Sequence, residues 1–296
     1  MTPERWVLAT DLDGTFLGGT AAERGRFYRL LQDLAERLVL IFVTGRELEN
    51  TLPLFDPPAA GEPTVPRPRY IISDIGTEIL DGHTLAPIAP IQDWVAAAWG
   101  GANARVRALL ADDPNLVPQP VETRYRVSYY CDPDTLPAAT VNKIHGAGFD
   151  CLLSHGRYLD VLPRGVSKGP ALLRLLAHCG LADHRVVVAG DTLNDLSLFQ
   201  TGLAGVAVGN AEAGLVAAVR DLPHVHLSSH PGVMGIRDGL HAHGLCSPAP
   251  SGVTAGAPSG AGADDRPGPC CAAAHPAAPF DEHGGDRDLA HQPTRC

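Results

Sequence analysis

Two aspartates near the start of the sequence, Asp11 and Asp13, are spaced for chemistry. They follow a short apolar run over residues 6–10 that predicts a buried strand. Side chains at positions i and i+2 of an extended chain point the same way, so both carboxylates can border one small volume. Two such carboxylates repel each other unless they share a cation, and Mg²⁺ prefers oxygen ligands. The pair therefore predicts a magnesium site at the end of this strand.

A second polar group, formed by Thr44, Gly45 and Arg46, ends another apolar run over residues 39–43. A hydroxyl and free backbone N–H groups at a strand end are suited to hold phosphate oxygens. This stretch therefore predicts a phosphate-binding turn.

Two later stretches supply further charged groups. Lys168 stands just ahead of a predicted helix and offers a point charge suited to a phosphoryl group. Asp191, Asn194 and Asp195 follow a third apolar run, residues 185–189. Each stretch alone is common in solvated loops, but acid ligands, a lysine and a hydroxyl at successive strand ends together predict one site.

The elements that must bring these residues together are buried strands separated by helices. Uninterrupted apolar runs such as 39–43 and 185–189 are typical of a parallel sheet covered on both faces, and leucine spacing predicts a helix over 27–38. Ligands of such sheets bind outside the carboxyl ends of the strands, where the polar stretches fall. We therefore expect an α/β fold whose doubly wound, Rossmann-like parallel-sheet core comprises residues 1–85 and 166–246.

The middle of the chain, residues 86–165, has a different pattern. Helices are predicted over 94–110 and 138–145, and residues 125–130 and 158–162 alternate like strands with one open face. This pattern predicts an α+β domain inserted into the core, a position suited to substrate selection.

Composition sets the remaining expectations. Residues 247–296 contain few large apolar side chains, so burial cannot offset their chain entropy and we expect a disordered tail. The net charge of −10 argues against a general nucleic-acid binder. The seven cysteines include no CxxC pair, and no apolar run approaches the roughly 20 residues that span a bilayer. We therefore expect a cytoplasmic protein without a membrane partner.

The polar stretches, taken in order, resemble the motifs of the haloacid dehalogenase-type phosphatase superfamily. The matching residues are Asp11 to Thr15, Thr44 to Arg46, Lys168, and Gly190 to Asp195. The insertion between the second and third motifs resembles the C2 cap of the IIB members of this superfamily. Further stretches resemble sucrose-6-phosphate phosphatases, at residues 73–79, 125–129, 160–163, 167–169 and 228–230. The resemblance covers nearly all of residues 1–246.

This resemblance implies a Mg²⁺-dependent phosphatase in which Asp11 attacks phosphorus and forms an aspartyl-phosphate. Asp13 would protonate the leaving oxygen and later activate a water molecule. The implied Mg²⁺ ligands are Asp11, Asp13 through its backbone carbonyl, Asp191 and Asp195. The implied phosphate-binding residues are Thr44, Gly45, Arg46 and Lys168, with Asn194 supporting them.

Substrate selection is expected in the cap, where polar side chains can hold sugar hydroxyls. The candidates are Tyr125, Arg126, Ser128, Tyr129, Arg157 and Asp160. The resemblance implies sucrose-6-phosphate as the substrate. However, sucrose phosphatases usually show a lysine and then an aspartate where this sequence has Arg157 and Tyr158. Mannosylfructose phosphate, glucosylglycerol phosphate and hexose phosphates therefore stay open.

Two other functions use the same residues. A phosphomutase of this superfamily would form the aspartyl-phosphate but return the phosphate to its substrate. A non-catalytic partner of a glycosyltransferase would use the fold only to bind a phosphosugar, although the intact acids and lysine argue against it. An association with a glycosyltransferase that makes a sugar phosphate is expected for the enzyme as well.

Overall fold

The structure is a computed structural model that describes residues 6–154, 156–182 and 184–245. The predicted disordered tail, 247–296, lies outside these residues. The strands are β1 (Trp6–Thr10), β2 (Leu38–Val43), β3 (Tyr70–Ser73), β4 (Glu78–Asp81), β5 (Val117–Pro118), β6 (Val127–Tyr130), β7 (Phe149–Ser154), β8 (Tyr158–Pro163), β9 (Arg185–Gly190), β10 (Ala204–Ala207) and β11 (Val225–Leu227). The α-helices are α1 (Ala21–Asp33), α2 (Leu48–Thr51), α3 (Ala89–Trp99), α4 (Asn103–Leu110), α5 (Ala138–Gly146), α6 (Lys168–His178), α7 (Leu196–Phe199), α8 (Ala213–Val219) and α9 (Gly232–Ala242).

Seven strands form the larger sheet, in the order β11-β10-β9-β1-β2-β3-β4. Neighbouring strands are parallel except at one edge, where β4 pairs antiparallel with β3. The strand that carries Asp11 at its end is therefore central, between the strands that precede Thr44 and Asp191. The prediction of an α/β fold with a doubly wound parallel core is confirmed.

Alternate residues of the central strands pack on opposite faces of this sheet. In β1, Val7 and Ala9 join the hydrophobic cluster that contains residues of α6, α7 and α8. Leu8 between them joins the cluster that contains residues of α1 and α9. The strands are uninterrupted apolar runs because helices cover them on both faces.

The second sheet is antiparallel and four-stranded, in the order β5-β6-β8-β7. Apolar residues of helices α3, α4 and α5, among them Trp99 and Ile144, share one hydrophobic cluster with Val127 and Val161 of the sheet. The strands lie within the stretch predicted as an inserted domain, residues 86–165, which we call the cap. The ends of this insertion at residues 86 and 165 stay a prediction.

Two predicted helices have different bounds in the structure. The single helix expected over 94–110 is wrong, because α3 ends at Trp99 and α4 begins at Asn103. Gly100 between them takes a left-handed φ of 59°, which glycine adopts without strain and which ends a helix. The helix expected over 27–38 ends at Asp33, and Leu38 instead begins β2.

Within the described residues, no helix is long and apolar enough to cross a membrane.

Candidate active site

Residues from three separate stretches of chain meet at the fully buried ammonium group of Lys168. Its Nζ atom donates to Asp11 Oδ1 over 2.8 Å, to Asn194 Oδ1 over 2.7 Å and to Asp195 Oδ1 over 2.6 Å. Asp11 directly follows β1, Lys168 begins α6, and Asn194 and Asp195 follow β9. The structure thus brings together four of the side chains predicted for one site.

Asp191 lies in the same group and is held by residues to which the sequence assigned no role. Thr15 donates its hydroxyl to Asp191 Oδ1 over 2.8 Å, and Asn210 Nδ2 lies 3.3 Å from Asp191 Oδ2. The other carboxylate oxygen of Asp195, Oδ2, accepts the backbone N–H groups of Asp191 and Thr192 over 3.0 and 3.1 Å. Asp195 therefore fixes the turn that carries Asp191 while it also pairs with the lysine.

Three buried carboxylates face a single cation here, which leaves the site short of positive charge. Burial raises the pKa of Asp11 to about 8, although Lys168 beside it acts in the opposite direction. Burial also raises the pKa of Asp191 to about 7, against the hydrogen bond from Thr15. Burial alone would lower the pKa of Lys168, but the carboxylates of Asp11 and Asp195 raise it above its ordinary value.

This donor set fits a hard divalent cation. Carboxylate oxygens of Asp11, Asp191 and Asp195 lie within 4.8 Å of one another, and all three residues are buried. Oxygen ligands and uncompensated negative charge favour Mg²⁺ over Zn²⁺. The carboxylate of Asp13 is outside this group, and the role of its backbone carbonyl stays a prediction.

Asp13 instead pairs with the arginine of the second motif. Arg46 Nε donates to Asp13 Oδ2 over 2.6 Å, and its Nη2 atom contacts the other carboxylate oxygen. This two-pronged contact fixes the direction of a carboxylate that is half exposed at the cavity. Thr44 is buried, and its hydroxyl oxygen accepts the backbone N–H of Arg46 over 3.1 Å. The second motif thus places its arginine beside the proposed acid.

A cavity of about 330 Å³ lies between this site and the cap. The core contributes Asp11, Asp13, Gly45, Arg46, Glu47 and Asn194 to its lining, and the cap contributes Gln119, Arg126, Ser154, Tyr158 and Asp160. Most of these side chains are polar and several are charged. Such a lining suits a ligand that carries many hydroxyl groups next to a phosphate.

The cap residues predicted to bind substrate lie in different surroundings. Asp160 lines the cavity, and Ser128 opposite it on β6 donates to its Oδ1 atom over 2.6 Å. Tyr129 points to the other face of β6 and packs in the hydrophobic core, because successive residues of a strand alternate between faces. Its assignment as a substrate contact is corrected. Arg157 is exposed, stacks on Tyr130 and Tyr158, and is absent from the cavity lining.

Thr15 and Asn210 are among the site residues to which the sequence assigned no role. Asn210 Nδ2 also donates to the carbonyl of Gly14 over 3.0 Å, so it ties the first motif to Asp191. Its position two residues after the strand-like run that ends at residue 208 is the signal that could have identified it, since other strand ends carry site residues.

An aspartate after the central strand, held by a buried lysine and facing further acids beneath a cap, is the arrangement that identifies the haloacid dehalogenase-type phosphatase superfamily. The family of this chain can be stated more closely. The model of the sucrose-6F-phosphate phosphohydrolase family matches residues 4–244, and the chain belongs to that family.

Individual relatives differ in name and in length. The chain is 41% identical over 231 residues to glucosylglycerol-phosphate synthase from Pseudomonas anguilliseptica, a match that spans 78% of this chain but 30% of that protein. It is 31% identical to mannosylfructose-phosphate phosphatase from Agrobacterium fabrum, over 83% of this chain and 99% of that one. A solved structure of the sucrose-phosphatase from Synechocystis, in complex with sucrose and phosphate, matches with a TM-score of 0.73 at 22% identity. That match covers 82% of this chain and 100% of the other, and it shows the shared fold.

Proposed function

We propose that the protein hydrolyses the phosphate ester of a small glycoside through an aspartyl-phosphate on Asp11, with Mg²⁺ as cofactor. The observation that carries this proposal is the Asp11 carboxylate, held by Lys168 over 2.8 Å at the floor of a polar cavity. Burial raises the pKa of Asp11 to about 8, and bound Mg²⁺ would compensate the charge of its carboxylate, so that the ionised form is the nucleophile at neutral pH without a separate base.

In the first step a carboxylate oxygen of Asp11 forms a bond to phosphorus, and the bond from phosphorus to the sugar oxygen breaks. Asp13 gives its proton to that leaving oxygen. In the second step Asp13 takes a proton from water, the hydroxide attacks phosphorus, and Asp11 is released with inorganic phosphate. In the structure Arg46 donates to both carboxylate oxygens of Asp13, so this contact must open before Asp13 carries the proton that it gives to the leaving oxygen.

The remaining groups balance charge and fix position. Lys168 lies beside the attacking carboxylate, where its positive charge can also stabilise the transferring phosphoryl oxygens. Asp11, Asp191 and Asp195 would hold Mg²⁺, with the Asp13 carbonyl as the expected fourth protein ligand. The ion supplies positive charge that offsets the phosphate charge next to these carboxylates.

Among glycoside phosphates, we place glucosylglycerol phosphate first, mannosylfructose phosphate second and sucrose-6-phosphate third. The support for this order is the 41% identity to a glucosylglycerol-phosphate synthase, compared with 31% to a mannosylfructose-phosphate phosphatase and 27% to a tobacco sucrose-phosphatase. Arg157 and Tyr158, where sucrose phosphatases usually show lysine and aspartate, also disfavour sucrose. Because the match spans 30% of the synthase, we further propose that the enzyme works with a synthase that makes its substrate.

Release of inorganic phosphate from purified protein tests this proposal. The substrates are glucosylglycerol phosphate, sucrose-6-phosphate, mannosylfructose phosphate and hexose phosphates, each with Mg²⁺ and with EDTA. We expect Mg²⁺-dependent release with the highest kcat/KM for glucosylglycerol phosphate. A higher kcat/KM for another sugar would refute the choice of substrate but not the chemistry. A requirement for an activating bisphosphate would instead identify a phosphomutase.

A further inference from the structure

One arginine of the cap, Arg126, contacts carboxylates of both the cap and the core. It directly precedes β6 and is 7% exposed. Its Nη1 atom donates to Asp160 Oδ1 over 2.7 Å, and its Nη2 atom donates to Glu47 Oε1 over 2.9 Å. Its Nε atom lies 2.5 Å from Asp74 Oδ1 in an ionic contact. A single guanidinium therefore bridges two loops of the core and one strand of the cap.

These contacts divide into two kinds. Asp160 lies opposite Ser128 in the cap sheet and is hydrogen-bonded to it, and Arg126 directly precedes the strand of Ser128, so the contact between Arg126 and Asp160 lies within the cap. The contacts of Arg126 to Glu47 and Asp74 cross from the cap to the core. Any movement of the cap away from the core must break these two contacts and leaves the first intact.

The core residue Asp74, which Arg126 contacts, lies in a strained turn that packs against the start of α6. Asp74 and Ile75 have φ angles of 53° and 60°, a left-handed backbone conformation that is strained for residues other than glycine. The next residue, Gly76, lies against the backbone of Ser167 and Lys168, so closely that a Cβ there would be 2.5 Å from the Ser167 carbonyl carbon. The turn that receives the arginine thus also supports the start of α6.

We propose that Arg126 is a positioning residue that holds the cap over the site at the spacing that a sugar phosphate requires. This inference rests on the proposed function, because it assumes a substrate that touches core and cap together. The phosphate end of the cavity is formed by Asp11 and Asn194 of the core, and the sugar end by Tyr158 and Asp160 of the cap. The contacts of Arg126 therefore set the distance between the two ends.

A lysine at position 126 would keep the positive charge but lose the planar set of N–H donors that the guanidinium group provides. Arginine presents several N–H groups in a fixed plane, and here they reach three carboxylates in three directions. A lysine ammonium on a flexible stem satisfies such an arrangement poorly. Arg126→Lys is therefore expected to loosen the cap without leaving the carboxylates unpaired.

The test compares the best sugar phosphate of the panel with p-nitrophenyl phosphate, which needs the phosphate end of the cavity alone. For Arg126→Lys we expect KM for the sugar phosphate to rise roughly 10-fold or more, while kcat/KM for the aryl phosphate stays within about 3-fold. Arg124→Lys, an exposed arginine two residues away, is the matched control and should change neither. Equal losses on both substrates, or no loss on either, would overturn the proposal.

A double-mutant cycle and amide hydrogen exchange give two further readouts of the role of Arg126. Asp74→Asn should raise KM for the sugar phosphate in the same direction, and the double variant with Arg126→Lys should lose less than the two single losses combined. Amide hydrogen exchange in residues 74–77 and 127–130 should become faster in Arg126→Lys and stay unchanged in β1 and β9. Additive losses, or unchanged exchange at 74–77 and 127–130, would contradict the role of Arg126.

The exchange experiment needs no turnover, so it tests the bridge even for a protein that proves inactive. Failure of the wild-type protein to release phosphate from any substrate with Mg²⁺ would refute the proposed function. Faster exchange in Arg126→Lys would still support its role in holding the cap on the core.

Discussion

Replacement of the proposed nucleophile, Asp11, should abolish turnover without destabilising the fold. Asp11→Asn keeps the shape of the side chain and removes the attacking oxygen anion, so we expect turnover to fall by at least about 1000-fold. Since burial already raises the pKa of Asp11 to about 8, the neutral amide should not lower the free energy of unfolding. Phosphate release and urea unfolding, with the exposed Asp33→Asn as control, check both expectations. Residual turnover above a few per cent of wild type would exclude Asp11 as the nucleophile.

Unlike Asp11, Lys168 should be required for the stability of the fold. Its removal leaves Asp11 and Asp195 buried without their cation, so Lys168→Gln should lower the free energy of unfolding of the metal-free protein by about 3–5 kcal/mol. Urea unfolding in EDTA measures this loss. The sequence contains one other lysine, the exposed Lys143, and Lys143→Gln should change stability by less than about 0.5 kcal/mol. Equal effects of the two substitutions would mean that the buried lysine does not compensate the carboxylates.

Individual elements determine where these side chains point, and the turn before β4 is the most constrained of them. Gly76 has a φ of 100°, and a Cβ would lie 2.8 Å from the backbone nitrogen of Lys168. Gly76→Ala should therefore cost about 1–3 kcal/mol of stability and, by shifting Lys168, lower kcat roughly 10-fold. Thermal unfolding and sugar-phosphate kinetics measure the two effects.

Gly146→Ala is the matched control for that substitution. Gly146 lies at the end of α5, and nothing approaches its Cβ position within 4 Å. Alanine there should leave kcat unchanged and stabilise the protein by at most about 1 kcal/mol. If Gly76→Ala behaved in the same way, the turn would not support the lysine.

The same elements show which parts of the fold can be predicted from sequence. The central strands are apolar throughout because both of their faces are buried, and a pattern of that kind is visible without a structure. Strand β7 (Phe149–Ser154) was missed, since its four central residues are all partly buried and its sequence does not alternate between apolar and polar residues. The contacts of Arg126 with the core could not be predicted either, because Glu47 is 79 residues away in sequence and only the packing of the cap brings it near.

The alternation of side chains along the cap strands was predicted, but which of the two faces lines the cavity was not. The alternating pattern over 125–130 is compatible with either Ser128 or Tyr129 facing the cavity. Only the pairing of Ser128 with Asp160, and the helices packed against Tyr129, decide between them. The core site was easier to predict, since Asp11 and Asp191 directly follow neighbouring parallel strands and must therefore be close.

At the scale of the whole molecule, the acidic site couples folding to pH and to the metal. The pKa values of Asp11 and Asp191 are raised to about 8 and about 7 in the folded protein. Between about pH 4 and pH 8 the folded state therefore binds more protons than the unfolded chain, and the free energy of unfolding falls as pH rises. Bound Mg²⁺ would compensate the ionised carboxylates, so its stabilising effect should grow over the same range.

Thermal unfolding with EDTA and with Mg²⁺, at pH 6 and at pH 8, measures this coupling. We expect Mg²⁺ to raise Tm more at pH 8, and a concentration 100 times its dissociation constant should stabilise the fold by about 2.7 kcal/mol. Asp191→Asn removes one ligand and one buried charge. It should therefore lose most of the Mg²⁺ response and yet be at least as stable as wild type in EDTA at pH 8. An undiminished Mg²⁺ response in this variant would place the ion elsewhere, because the carboxylates that meet at Lys168 would then not be its ligands.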